Sequence, residues 1–102
     1  MITQQNLIDA KTLITPPDNW VVGDGARDKQ GYRVDVTSSG AVCWCMAGAI
    51  AKMANINDWV LASQMLRNQG LIQHSCEIWE ANDRGSHRDA LAYMDQLIER
   101  AS

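Results

Sequence analysis

The sequence holds no phenylalanine and two prolines, both at one place, Pro16-Pro17. Without Phe, its aromatic material is four tryptophans and two tyrosines, and each buried Trp also asks for a partner for its indole N–H. Three cysteines, an odd number, exclude a disulfide-stapled scaffold and fit reduced, buried thiols. Neither Cys-x-x-Cys nor His-x-x-x-His occurs, so no metal site is expected. Asp24 to Gly31 loosely resembles a calcium loop but lacks its recurring oxygen ligands and terminal Glu. Gly23-x-Gly25 followed by Gly31 has the wrong spacing for a dinucleotide fingerprint, and no cofactor is expected. No basic run is present and the net charge is −3, which argues against nucleic acid as a partner. The longest uncharged apolar run, Ala41 to Ala51, covers 11 residues, short of the ~20 a membrane helix needs. The opening Met-Ile-Thr-Gln-Gln lacks the basic and apolar regions of a secretion signal. A cytoplasmic protein is expected.

What is present is enough for one core. With 102 residues, 46% of them apolar and 21% charged, the chain reads as a single domain over residues 1–102. The pattern predicts a mainly α fold, a small globular domain of four helices. A short β-hairpin or extended loop lies between helices 1 and 2.

The first helix is predicted from Thr3, a plausible N-cap, to Ile14, with Leu7, Ala10 and Ile14 on one face. Thr15-Pro16-Pro17 ends it, because each proline removes a donor and restricts the residue before it. Asn19 to Val22 reads as a short extended piece, and Tyr32 to Thr37 alternates with period two, so the two are expected to pair as a ribbon. The glycine-rich stretch 23–31 between them is the turn. Ala41 to Ala54, apolar nearly all round, is predicted as a buried central helix capped by Ser38 or Ser39. Cys45, Gly48 and Ala49 form a small-residue groove in it, where another backbone can approach closely. Asn57 is the expected cap of a third helix, Asp58 to Asn68, closed by Gly70 at C′. Residues 71 to 82 fit either a strand or a short helical turn. Ser86 to Asp89 has capping-box spacing and opens a last helix with its stripe at Leu91, Met94, Leu97, Ile98 and Ala101.

Several of these segments together resemble a known family. They are Trp20-x-x-Gly23, Ala26-Arg27-Asp28-x-x-Gly31, Trp44-Cys45-x-x-Gly48-Ala49-Ile50, then Ile78-Trp79, Asn82-Asp83 and a terminal Leu97-Ile98-x-x-Ala101. The family has about a hundred residues, occurs in phage and bacterial genomes, and is known only as a domain of unknown function. Its second block usually reads Trp-Asn-Asp, whereas Glu80 and Ala81 intervene here. The resemblance implies no activity. It implies that the loop 23–31, Cys45 and the Asn82-Asp83 pair belong to one shared design.

Three functional readings follow. A cysteine-dependent hydrolase or transferase would use Cys45 near a helix start, with His74 or His87 as base, against the plainer reading of Cys45 as a small buried hydrophobe. A small-ligand binder would use Trp20, Asp28 and Asp83. The favoured reading is a non-enzymatic module that binds another protein, as a phage accessory or host-interaction factor. Its binding residues would be Trp20, Arg27, Asp28, Trp79, Asn82 and Asp83, because Trp and Arg anchor interfaces. Asn82 to Ser86 reads as a polar loop before the last helix, with Asp83 available to pair Arg27 or Arg88.

Overall fold

A computed structural model describes all 102 residues. Helix α1 spans Gln4–Ile14. Its cap is reciprocal: the Asn6 N–H donates to Thr3 Oγ1 at 3.1 Å, and the Thr3 N–H donates to Asn6 Oδ1 at 2.9 Å. Leu7, Ala10 and Ile14 are its buried face. A single 3-10 turn, Pro17–Asn19, follows, since a ring-locked φ suits a first helical position.

The β elements are short and differ from the predicted ribbon. Strand β1, Ala26–Asp28, pairs antiparallel with β2, Ala41–Trp44, in the register Ala26↔Trp44 and Arg27↔Cys43. Trp20 and Arg33 join by isolated bridges, Trp20 to Trp44 and Arg33 to Arg27. The two segments expected to pair with each other thus flank the sheet on opposite sides.

This pairing breaks the predicted central helix. Residues 41–44 are strand, and helix α2 spans only Met46–Met53. Cys45, not Ser38 or Ser39, is its N-cap: Cys45 is extended (φ −76°, ψ 173°), and its sulfur accepts the Gly48 N–H at 3.3 Å. The Cys45 N–H is meanwhile held by the Gly25 carbonyl at 3.2 Å. An unbroken apolar run fits a buried strand as well as a buried helix, so periodicity alone could not place this boundary.

Helix α3 spans Trp59–Asn68. Its cap is Asp58 rather than Asn57, with Asp58 Oδ1 accepting the Val60 N–H at 2.9 Å. Gly70 (φ +78°) closes it in the left-handed region, and the Leu71 N–H returns to the Leu66 carbonyl at 3.0 Å, a Schellman closure. Residues Glu77–Arg84 form α4. Asn82 to Arg84 of the expected polar loop are therefore the end of a helix, with Gly85 and Ser86 left as the connection, and the domain has five helices instead of four. Helix α5, His87–Arg100, starts at the predicted Ser86 cap with Asp89 completing the box.

Residues 46 to 51 of α2 are all buried. Helices α1, α3 and α4 pack on α2, and α5 closes against α1 and α4. Gly48 is needed where α2 meets the turn before β1: a Cβ there would stand 2.0 Å from the Gly25 carbonyl oxygen. No helix is long and apolar enough to cross a membrane.

Candidate functional site

Of the residues singled out from the sequence, Trp20, Asn82 and Asp83 are hydrogen-bonded to one another at the N-terminus of α2, which Cys45 caps, whereas Arg27, Asp28 and His74 are outside that network. Asn82, buried and on the last turns of α4, is the centre. Its Oδ1 accepts the Trp20 indole N–H at 2.7 Å and the Met46 N–H at 3.0 Å. Its Nδ2 donates to the Val21 carbonyl at 3.1 Å and to Asp83 Oδ1 at 3.2 Å. Asp83 Oδ1 also accepts the Gly23 N–H at 3.1 Å. One amide side chain thus holds the 20–23 segment, the start of α2 and α4 together. A helix start leaves its first N–H groups without intrahelical partners; here Asn82 and Cys45 each take one.

Cys45 is consequently a capping thiol. Burial pushes it up to about 11, against the opposing effect of the Gly48 and Ala47 N–H groups. Desolvation of the thiolate outweighs the pull of the helix end. Neither histidine reaches it in the cavity it lines. His87 Nε2 lies 2.6 Å from the Ile14 carbonyl, so it must be the protonated, donating nitrogen. The His87 ring packs on Trp20 at 5.5 Å. His74 is exposed in the connection before α4.

Arg27 and Asp28 serve the sheet. Arg27 Nε meets Asp24 Oδ2 at 2.6 Å, and Arg33 meets Asp24 Oδ1 at 2.6 Å. The hydrogen bonds from Arg27, then Arg33, hold the Asp24 carboxyl below its usual range. Arg27 therefore pairs with Asp24, not with Asp83. Asp28 Oδ1 accepts the Gln30 and Tyr32 N–H groups and shapes the turn.

Trp79 leads to a feature the sequence did not mark. Its indole N–H donates to Ser63 Oγ at 2.8 Å, and its ring meets Trp59 edge-to-face at 5.2 Å. Trp59 in turn lies on Gly25, where a Cβ would come within 2.5 Å of its ring. Between these rings, Cys45, Ile78 and Asp83 lies a cavity of about 20 Å³, room for one water molecule. Asp24 and Asp83 are the charged groups of its lining, and no cationic side chain faces it. Trp59 and Ser63 read in the sequence as ordinary α3 positions. Asp24, three residues before Arg27, had a visible ion-pair spacing.

The geometry defines a mainly helical domain with a polar clasp at one helix start and a small aromatic, acidic cavity beside it. The chain belongs to the family of unknown function DUF6197, whose model matches residues 2–100. No curated protein and no solved structure shows significant similarity to it.

Proposed function

We propose that this chain is a non-enzymatic protein-binding module whose contact face is the mouth of the Trp59–Trp79 cavity. The observation carrying this reading is the state of Cys45. Its thiol caps α2, and burial pushes it up to about 11, which removes the thiolate a nucleophile needs at neutral pH. A volume of about 20 Å³ also leaves no room for a substrate beside it. Surface contacts with a partner need no such room. Val22, next to the clasped Gly23, is an exposed apolar side chain, and Trp59 and Trp79 are half-buried. Half-buried Trp in a setting of this kind is a usual interface anchor. Resemblance to phage and bacterial sequences supports a cytoplasmic setting and a role as an accessory or host-interaction factor.

A photo-crosslinking residue at Val22, compared with one at Ile8 on α1, tests the face in cells of the source organism. A discrete adduct from Val22 but not from Ile8 is expected. Adducts from Ile8 alone, or from neither, would refute the assigned face.

A further inference from the structure

We infer that the groove beside Trp59 binds a neutral pyranose ring, either a free sugar or the terminal residue of a glycan. The groove holds about 360 Å³, and Gly25, Arg33, Asp35, Asn57, Asp58 and Trp59 line it, a size that suits small ligands. The inference goes beyond the protein-contact reading above and does not depend on it. Three observations carry it.

The first is an unused donor. Three of the four tryptophans place their indole N–H inside the chain: Trp20 on Asn82, Trp44 on the Val36 carbonyl and Trp79 on Ser63. Trp59 alone has no acceptor within the chain, although an indole N–H removed from water usually finds one. Its Nε1 edge lies against Gly25, where a Cβ would stand 2.9 Å from that nitrogen. Gly25 lines the groove and not the smaller void on the Trp79 side. The free N–H is therefore on the groove's side of the ring.

The second is the balance of polar groups. Asp35 is exposed and its carboxylate has no partner within the chain, while Asp58 uses only Oδ1, on the Val60 N–H. Arg33, the cation of the groove, already has Nε and Nη2 on Asp24 Oδ1 at 2.8 and 2.6 Å. Acidic charge prevails, so phosphates, nucleotides and carboxylates are repelled. An ammonium group fits no better, because it offers nothing to the donors of Trp59, Arg33 and Asn57. A hydroxyl both donates and accepts. Two adjacent hydroxyls also match the two oxygens of a free carboxylate in strong O–H···O⁻ bonds.

The third is the platform. A pyranose has an apolar C–H face with hydroxyls around its rim, a shape that an indole with polar neighbours receives. Trp59 is held in place for this role. Trp79 meets it edge-on at 5.2 Å and is itself fixed by Ser63.

The test is a titration of the wild-type protein followed by its indole N–H signals. The ligands are methyl β-glucopyranoside, methyl α-mannopyranoside, methyl β-galactopyranoside and methyl N-acetyl-β-glucosaminide. At least one should shift the Trp59 signal saturably with a Kd of about 1–10 mM, while the Trp20 and Trp44 signals stay in place. The corresponding uronate, which adds a carboxylate, should bind at least about tenfold more weakly. Capped alanine (Nα-acetyl-alanine N-methylamide) offers a peptide's amides without hydroxyls, and adenosine offers a ribose. Equal or tighter binding of either overturns the pyranose assignment. Asp35→Asn alters an exposed, unpaired side chain, so the fold should stand and sugar affinity should fall about tenfold. Asp95→Asn, on the Lys11 pair, should lose none. A matching disaccharide that binds more tightly assigns the site to a glycan's terminal residue, and one that does not assigns it to a free sugar; both keep the pyranose site. No saturable shift with any of the pyranosides up to roughly 100 mM, equal binding of the uronate, or unchanged affinity in Asp35→Asn overturns the inference. Crosslinking at Val22 reads the protein face separately and is unaffected by either result.

Discussion

Trp20 donates its indole N–H to Asn82 Oδ1 at 2.7 Å across 62 positions of the chain. The same oxygen accepts the first backbone donor of α2, from Met46. Two residues that stand out in the sequence as surface candidates are therefore the closure of a buried polar network. Such networks are costly when broken, because each partner left behind stays buried and unpaired.

Asn82→Ala follows directly. It strands the Trp20 and Met46 N–H groups and the Val21 carbonyl, and should cost about 3–5 kcal/mol. Denaturant unfolding monitored by Trp fluorescence measures it. A cost under about 1 kcal/mol would mean water replaces the amide freely, and the clasp would not be structural.

Gly48→Ala reverses a helix rule. Ala ordinarily gains about 1 kcal/mol over Gly within a helix. At position 48 the added Cβ would lie 2.0 Å from the Gly25 carbonyl oxygen, and backbone cannot step aside cheaply. A net loss of about 2 kcal/mol or more is expected, read as a lower unfolding midpoint at unchanged slope.

Stability near the α4–α5 seam depends on pH in both directions. The Tyr93 hydroxyl donates to Glu77 Oε2, which Arg100 also approaches at 3.6 Å. The Tyr93 hydrogen bond, the largest cause, holds Glu77 below its usual 4.5. Its contribution is thus full above the unfolded value and fades as pH falls through the lower folded one. Tyr93 is displaced upward, by burial first and by Glu77 second, so its contribution holds below about pH 10 and fades in alkali. Tyr93→Phe should cost about 1 kcal/mol at pH 7. The difference from wild type should shrink in acid below the Glu77 range. Urea unfolding across pH reads this, and a pH-independent difference would contradict it.

Local signals explain which parts of this fold were legible. Thr3 and Ser86 announce α1 and α5 because a capping box and an apolar stripe are written within a few consecutive residues. The boundary at Cys45 is not local. Residues 41–44 are strand because β1 pairs with them, and Cys45 caps α2 because Gly25 holds its N–H. A cysteine cap has no strong sequence preference to betray it. Asn82-Asp83-Arg84-Gly85 looks like a turn by composition, but its first three residues belong to α4, where Asn82 makes its tertiary bonds. The converging residues were partly visible as Trp20, Cys45, Asn82 and Asp83. Their role was not, since it depends on which backbone groups each side chain meets across the fold.

Cys45→Ser should keep the fold, since a hydroxyl caps as well as a thiol. Cys45→Ala, which removes the cap acceptor, should lose about 1 kcal/mol. Thermal unfolding of the two variants side by side measures this, and equal stabilities would mean that the cap is not what Cys45 contributes.

The reading of this domain as a binder rather than a cysteine enzyme is tested most directly by the alkylation rate of Cys45 in the native protein. Site-resolved mass spectrometry over pH 6–11 separates it from exposed Cys76 and half-buried Cys43. At pH 7, Cys45 should react more slowly than cysteine in the unfolded chain, with a rate that climbs toward about 11. A rate at pH 7 above that of unfolded cysteine, levelling off near neutrality, would contradict it and restore the nucleophile.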